Sequence, residues 1–512
     1  MLDQRIKEEL AGHFAKLRNN VDLRLYFSGH QKQTELDSFL HELASLAPNL
    51  RVVMAAEPAS SLKFDVLQGG QYTGITFRAI PLGHEFTSLV VAVLNSGGLG
   101  KLPDASTTRR IRALKGPIRL TTYVSLSCEN CPEVVQSLGQ MALLHPDFVH
   151  EMVDGGVYVD EVASMDLAGV PAVMHDGELI HAGKASFGEI LSKLEVIYGS
   201  EPSAESVDRK EYDVAVVGGG PAGVAAAVYS ARKGLKTVLV ADRVGGQVRD
   251  TKGIENIIAL DYIEGKNLAV DMEARLKNNN VEILEHRRVE RLDPGCNELA
   301  LSSGELILAD DIIIATGAKW RELGIPQEQE YLGRGVAYCP HCDGPYYKGK
   351  DVVVVGGGNS GIEAAIDLSQ IVKSVTVLEF LPELKADQVL VERLNRLSNV
   401  KVIKGVEVKS LQGNGVKVEG LNYEDRESKI NHYLAVDGIF VQIGLAPNSR
   451  VFQGVLAINK HGEILVDERG QTSLAGVYAA GDVTNTPFKQ IITSMGDGAK
   501  AALSAFENRM RR

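Results

Sequence analysis

No stretch of this sequence approaches the roughly eighteen uninterrupted apolar residues of a membrane-spanning helix, so no membrane anchor is expected. The first residues, Met1 to Leu10, break their apolar positions with charges and lack the hydrophobic core of a secretory signal. A cytoplasmic location is therefore the default. Basic residues are not in excess either: 54 Lys and Arg stand against 66 Asp and Glu, a net charge of -12. Phosphate binding needs clustered Lys and Arg, so nucleic acid is not the expected partner. Cysteine is scarce, five in 512 residues, too few for a disulfide framework. What remains is ordinary globular composition, 44% hydrophobic and 23% charged, in a chain long enough for about three to five domains.

The few cysteines are placed tellingly. Cys128 and Cys131 form one C-x-x-C pair, Cys339 and Cys342 another, and Cys296 stands alone in the turn-like run Asp293 to Asn297, where it is read as inert. With βαβ patterning around them, such pairs point to redox chemistry. The alternative is zinc, either a half-site of Cys339, His341 and Cys342 or a four-thiolate site. A complete nucleotide fingerprint separates the pairs, whereas a zinc ribbon allows roughly 15 to 20 residues. Redox is the preferred reading. Asp343, directly after Cys342, could manage protons.

Residues 1 to about 110 mix amphipathic helical stretches, such as Leu36 to Leu46, with apolar runs, and carry no cysteine. Gly97 to about Arg110 reads as a loop or boundary. Ile118 to Val124 reads as a strand that leads into Cys128 and Cys131 and then a helix with Val134, Val135, Leu138, Met141 and Ala142 in register. Near a helix N-terminus the Cys128 thiolate is favoured, which makes it the better nucleophile. Strand, C-x-x-C, helix and a later Val170-Pro171 before a strand resemble the thioredoxin and glutaredoxin fold over residues 115 to 197. The resemblance implies that Pro171 is cis and faces the dithiol. The polar segment 198 to 211 reads as a flexible linker.

A buried-type strand from Tyr212 runs into Gly218, Gly220 and Gly223, spaced G-x-G-x-x-G, then an alanine-rich helix and a second strand ending at Asp242. That is the dinucleotide fingerprint: a tight turn, bare backbone beside a pyrophosphate, close helix packing and an acid for the ribose. It recurs at Gly356, Gly358 and Gly361, with Glu379 closing the next strand. Two such units imply two dinucleotides. Ala315-Thr316-Gly317 and Ala480-Gly481-Asp482 end two further apolar strands, as in a flavin domain interrupted by a second nucleotide domain. An arginine just after the second strand would serve a 2'-phosphate. Phe380-Leu381-Pro382 follow Glu379 instead, which favours NADH over NADPH.

Residues 212 to 512 resemble the low-molecular-weight thioredoxin reductases. With the N-terminal extension and its own C-x-x-C, the whole chain is similar to the flavoprotein F subunits of alkyl hydroperoxide reductases. The resemblance implies an α/β architecture of tandem thioredoxin-like folds followed by two Rossmann-like domains. The expected order is 1–110, a thioredoxin-like fold without cysteines; 111–197, one with C-x-x-C; 198–211, the linker; 212–324 and 446–512, a split FAD domain; and 325–445, the NAD(H) domain. It places FAD on Gly218, Gly220, Gly223, Asp242 and Asp482, with Gly246, Gln247, Thr316, Gly317 and Gly481 beside it. NADH falls to Gly356, Gly358, Gly361 and Glu379. Cys342 becomes the flavin-facing thiol, Asp343 a general acid or base, Cys339 the thiol that attacks Cys128-Cys131, and Glu85 an acid near that dithiol, although a surface glutamate is the commoner case. The implied partner is a two-cysteine peroxiredoxin, and the implied assembly a homodimer. The competing function is a thioredoxin reductase-like enzyme with a fused glutaredoxin-like carrier for general protein disulfides.

Overall fold

The computed structural model describes residues 3–511 apart from 129, 166, 168–169, 202–208, 252–253, 255–256, 259, 326, 329–330, 333 and 339; of 250, 341, 342, 345 and 445 it describes the backbone alone.

The N-terminal body is built on one eight-stranded sheet. Its strands are β1 (Val21–Leu25), β2 (Leu50–Met54), β3 (Phe64–Gln68), β4 (Gln71–Arg78), β5 (Ile118–Val124), β6 (Phe148–Asp154), β7 (Ala172–His175) and β8 (Glu178–Ala182), in the order β2-β1-β3-β4-β6-β5-β7-β8. The same pattern occurs twice. β1 is parallel to β2 and antiparallel to β3, which turns into β4; β5 is parallel to β6 and antiparallel to β7, which turns into β8. These are two thioredoxin-like units, and the parallel pairing of β4 with β6 fuses them edge to edge.

Helices α1 (Gln4–Phe14), α2 (Gln33–Ala44), α3 (Phe86–Ser96), α4 (Ala105–Ala113), α5 (Cys131–Leu144), α6 (Val159–Ser164) and α7 (Phe187–Tyr198) belong to this body. A single core takes Phe14, Leu36 and Phe64 from the first unit and Val134, Phe148 and Leu191 from the second. Burying one apolar face of a shared sheet makes the two units one body, because neither edge at the seam is left unpaired. One expectation fails locally. The stretch read as a loop up to Arg110 is helical from Ala105, N-capped by Asp104, whose carboxylate accepts from Thr107 N at 2.9 Å. The run Thr107-Thr108-Arg109-Arg110 carries little apolar periodicity, so the cap was the readable signal.

The first nucleotide domain contains β9 (Arg209–Val217), α8 (Pro221–Arg232), β10 (Thr237–Val240), α9 (Gly265–Asn278), β11 (Glu282–Leu284), β12 (Val289–Asp293), β13 (Glu298–Leu301) and β14 (Leu306–Ile314). The segment read as linker is ordered at both ends: Tyr198 closes α7, Ser200 bridges Leu114 and Glu201 N donates to Ala113 O, while Arg209 to Glu211 pair with Leu306 to Leu308 of β14. Residues 202–208 of that segment lie outside the described residues. β9, β10 and β11 are parallel, and their apolar runs are buried on both faces, as a doubly covered sheet requires.

After β15 (Ala318–Trp320) come β16 (Val336–Ala337), α10 (Pro340–Asp343), β17 (Asp351–Val355), α11 (Asn359–Ser369), β18 (Ser374–Glu379), α12 (Gln388–Leu394) and β19 (Val400–Lys404). The antiparallel strands β20 (Val406–Gly413), β21 (Val418–Asp425) and β22 (Asn431–Ala435) follow, then β23 (Gly438–Val441) and β24 (Leu445–Pro447). The sheet β16-β23-β17-β18-β19 is parallel throughout, and β15 pairs with β24 as the two-stranded bridge back to the first domain. The chain then re-enters that domain. β25 (Val477–Ala479) lies beside the second half of β14, and α13 (Ile491–Met510) packs on α8.

The N-terminal body is seated on the first nucleotide domain through charge. Lys101 meets Glu273 at 2.6 Å, Arg288 meets Glu189 at 2.9 Å, and Arg243 meets Glu133 at 3.4 Å. Arg110 also donates to the His286 carbonyl at 3.1 Å. This seating decides what faces Cys128. Among the described residues no helix is long and apolar enough to cross a membrane.

Candidate active site

Cys128 lies in the loop between β5 and α5, and Cys131 is the first residue of α5. Both are free thiols, 1% and 0% exposed. The Cys128 N–H donates to Ser125 O at 2.9 Å, and its Sγ lies 3.7 Å from the Val170 carbonyl, directly before Pro171. The Val170-Pro171 peptide is cis. A hydrogen bond from the Cys131 thiol is the main influence that brings the Cys128 thiol down to about 7, against burial; the Tyr346 hydroxyl and the N–H groups of Asn130 and Cys131 add to it. Burial pushes the Cys131 thiol strongly upward, and the neighbouring Cys128 adds to the shift. The pair is thus split into a nucleophilic thiolate and a protonated resolving thiol.

Glu85 is not on the surface. It is 0% exposed, at the end of the single 3-10 turn Gly83–Glu85 that opens α3. The His84 N–H donates to Leu126 O at 2.9 Å, tying this turn to the loop that carries Cys128. A Cβ at Gly83 would overlap that same carbonyl, so the turn can approach so closely only with glycine. Burial, opposed by Ser88 and reinforced by the charges of Cys128 and Asp154, pushes the Glu85 carboxyl up to about 7. An acid with that value beside two thiols can give or take a proton at neutral pH.

Cys339 lies outside the described residues, and the backbone of Cys342 is in α10. Asp343 ends α10, and the turn Gly344–Tyr347 follows. From this turn Tyr346 faces, across the domain boundary, the cavity that Asn130 and Val170 also line beside the dithiol, and its hydroxyl favours the Cys128 thiolate. Nothing in the sequence signalled this placement. The one available hint was that Tyr346 follows Cys342 and Asp343 within a turn. Among the described residues no group of His, Cys, Asp and Glu is arranged to hold a metal ion.

The two glycine fingerprints adopt one geometry twice. Gly218 has φ +119 and Gly356 φ +124, and a Cβ at either would overlap a carbonyl oxygen, of Ala315 or of Gln442. A Cβ at Gly223 would strike Gly218 O, and one at Gly361 would strike Gly356 O, so each third glycine lets its helix close on its own turn. Gly220 and Gly358, the N-caps of α8 and α11, have nothing within 4 Å of a notional Cβ. There a pyrophosphate can meet bare backbone and the positive end of a helix.

Asp242 follows β10 at the strand end and lines the cavity where a ribose acceptor is needed, while its Oδ1 is buried against Gly188 of the N-terminal body. Gly218, Gly220, Asp242, Gly246, Gln247, Thr316, Gly317 and Asp482 line a cavity of about 1760 Å³. Single small-ligand pockets are about 300–1,000 Å³, so this space suits extended dinucleotides. Gln247 Nε2 donates to Ala318 O, and Thr316 Oγ1 donates to Asn448 O at 2.8 Å. Gly481 has φ +74, and burial raises the Asp482 carboxyl while its Oδ1 accepts from Ser494 Oγ at 3.1 Å. The residues present fit FAD.

Glu379, 8% exposed at the end of β18, accepts from Gly357 N with Oε2 and from Leu381 N with Oε1 at 2.7 Å. Its carboxylate thereby ties the second fingerprint turn to the strand end. A 2'-phosphate would meet this negative charge. Arg426 stacks on Phe380, with its guanidinium carbon 3.7 Å from the ring centroid, but it arrives from the β21–β22 turn.

Residues 212–498 match the family model described as pyridine nucleotide-disulphide oxidoreductase. Over 516 residues the chain is 46% identical to the F subunit of an alkyl hydroperoxide reductase of Pseudomonas putida, covering 100% of this chain and 99% of that one. It is likewise 46% identical over 513 residues to a protein named NADH dehydrogenase from Ferdinandcohnia aciditolerans, covering 100% of this chain and 98% of the relative. Among solved structures, thioredoxin reductase of Lactococcus lactis in its FR conformation matches 59% of this chain and 100% of its own, with 33% identity and a TM-score of 0.55. The chain belongs to the pyridine nucleotide-disulphide oxidoreductases and, within them, to the family of alkyl hydroperoxide reductase F subunits. It is an oxidoreductase whose cofactors are FAD and NADH.

Proposed function

We propose that this chain is an NADH-dependent flavoprotein disulfide reductase whose two dithiols work in series, Cys339-Cys342 first and Cys128-Cys131 second. The terminal acceptor is the disulfide of a two-cysteine peroxiredoxin, so that the chain supports peroxide reduction. Bound in the first cradle, FAD would accept hydride from NADH and supply two electrons to a disulfide. The first cradle is made by Gly218, Gly220, Gly223 and Asp242, with Gly481 and Asp482 from the returning segment. Gly356, Gly358, Gly361 and Glu379 hold NADH.

The chain's own chemistry is thiol exchange. Cys339 attacks Cys128, Cys342 resolves the mixed disulfide, and Asp343 takes the proton that Cys342 gives up. Cys131 leaves into a buried site that favours its thiol form, with Glu85 as the proton source. Cys128 then attacks the partner. One observation carries this reading: Tyr346, in the turn after the Cys342 helix, lines one cavity with Asn130 and with Val170, whose carbonyl is 3.7 Å from the Cys128 sulfur.

Since Cys128 is 1% exposed in this arrangement, the N-terminal body must leave its seat before a partner protein can reach it. The body swings on its connection to β9, and the domain of residues 325–445 turns so that Cys339-Cys342 and NADH alternate at the flavin. A cytoplasmic homodimer is the expected assembly. The dithiol Cys128-Cys131, with the Tyr346 turn on the same cavity, favours a disulfide acceptor over NADH oxidation alone.

Replacing Cys128 by Ser tests the path. Peroxide removal with NADH and a two-cysteine peroxiredoxin should fall to background while NADH still bleaches the flavin under anaerobic conditions. Peroxide removal at the parent rate would take Cys128-Cys131 off the path, and equal rates with NADPH and thioredoxin would favour the general disulfide reductase.

A further inference from the structure

Two adjacent tyrosines follow the Cys342 helix, and they are used differently. Tyr347 is a core ring, edge-on to Phe440 at 5.3 Å and pressed so close to Gly438 that a Cβ there would overlap it. Tyr346 is 46% exposed and is not committed to the core of its own domain. It lines the central cavity together with Asp343 of its own segment and with Asn130 and Val170, which flank the dithiol of the N-terminal body. The Val170 carbonyl on this cavity is 3.7 Å from the Cys128 sulfur, and the Tyr346 hydroxyl favours the thiolate there.

We propose that Tyr346 is a positioning residue for the internal dithiol exchange, its hydroxyl holding the Cys128 sulfur in the seated arrangement and stabilising it as a leaving thiolate. The proposal rests on the serial-dithiol reading. In the first step the Cys339 thiolate attacks Cys128; the Cys339–Cys128 bond forms, the Cys128–Cys131 bond breaks, and Cys131 takes a proton from Glu85. In the second, the Cys342 thiolate, its proton passed to Asp343, attacks Cys339. The Cys339–Cys342 bond forms, the Cys339–Cys128 bond breaks, and Cys128 departs as a thiolate hydrogen-bonded by Tyr346. One pair loses two electrons and the other gains them, and one proton is given up and one taken.

Exchange is faster when the leaving thiol is more acidic, so a donor placed on the leaving sulfur accelerates the second step. The groups facing this sulfur are Cys131 and Glu85 from its own body and Tyr346, with Asp343 behind it, from the other. Tyr346 is the donor that unseating removes. Cys128 is therefore a better leaving group toward Cys342 than it is after it has met the partner, which favours forward transfer.

The test uses the full-length FAD-loaded protein carrying Tyr346→Phe, which keeps the ring and removes only the hydroxyl. After mixing with NADH at pH 5.5 to 9, samples are quenched in denaturant with an alkylating reagent, which opens the buried Cys128, and the appearance of the Cys339 and Cys128 thiols is followed by mass spectrometry. The ratio of the Cys128 rate to the Cys339 rate should fall about tenfold, the loss of one charge-assisted hydrogen bond. The pH midpoint of the rate at which the Cys128 thiol appears should rise. An unchanged ratio with an unchanged midpoint overturns the proposal. If Cys128 never becomes reduced in the parent protein although Cys339 does, the serial reading fails, and the proposal with it.

Discussion

Arg287 and Asp104 form a two-pronged ion pair across the seam between the N-terminal body and the first nucleotide domain, with Nη1 reaching Oδ2 at 2.7 Å and Nη2 reaching Oδ1 at 2.9 Å. The Arg287 side chain is 1% exposed, and Glu305 holds its other edge. Burial alone would raise the Asp104 carboxyl, but hydrogen bonds from Arg287 and from Thr107 N–H outweigh it and hold the carboxyl at about 2. Asp104 is also the cap of α4, so the residue that starts a helix on one domain closes a buried charge on the other.

Asp104→Ala should therefore loosen the seat. Truncating one partner of a fully buried pair costs about 2–5 kcal/mol. Here Arg287 keeps Glu305 and the Asp104 side chain is 41% exposed, so the lower figure of about 1–2 kcal/mol applies, roughly 5- to 30-fold in the seating equilibrium. Cys128 alkylation in the oxidant-free protein should accelerate by that factor. The contribution of a lowered carboxyl is complete above its ordinary value of 3.8 and is lost as pH falls through about 2, so the effect of the variant should be constant from pH 6 to 8. Alkylation at the parent rate would mean that this pair does not govern the seat.

Glu85 offers a pH signature. Its carboxyl is raised from 4.5 to about 7, so it contributes stability fully below about 4.5, and that contribution is lost as pH rises through about 7. Glu85→Gln removes the ionisation. The variant should match the parent near pH 5 and exceed it at pH 8.5 by about 3 kcal/mol at most, read as a higher Tm. Its turnover with a peroxiredoxin should move oppositely, falling by about 10²-fold because Cys131 loses its proton source. A Tm difference that does not change with pH would show that Glu85 is not ionising in this range.

These relationships mark where the sequence was readable. The two G-x-G-x-x-G turns, the strand ends at Asp242 and Glu379 and the β5-loop-α5 arrangement of Cys128 and Cys131 are local, and each is set by residues within about twenty positions of one another. Glu85 was legible only through resemblance: His84-Glu85-Phe86-Thr87 carries no mark of burial, which comes from the tie of its turn to Leu126. Arg287 with Asp104, and Tyr346 with Cys128, join residues from different domains, and no periodicity or propensity encodes such pairs. α4 was missed for a different reason, since its apolar face is short and its N-cap was its clearest cue.

Glu379 has two tasks that a single substitution can separate. Its carboxylate holds Gly357 N and Leu381 N, shaping the second fingerprint turn, and its charge opposes a 2'-phosphate. Glu379→Gln removes the charge and keeps one carbonyl oxygen for a backbone donor, but turns an NH₂ toward the other. The kcat/KM with NADH should fall about tenfold, the scale of one charge-assisted backbone hydrogen bond, while that with NADPH should hold or rise because the repulsion is gone. The NADH preference should therefore contract by more than tenfold, through KM rather than kcat, because both tasks concern binding. Glu379→Ala releases both N–H groups and should lower kcat/KM with both coenzymes. If Glu379→Gln lowered the two coenzymes equally, the carboxylate would be shaping the turn alone, and coenzyme choice would lie with another group facing the ribose.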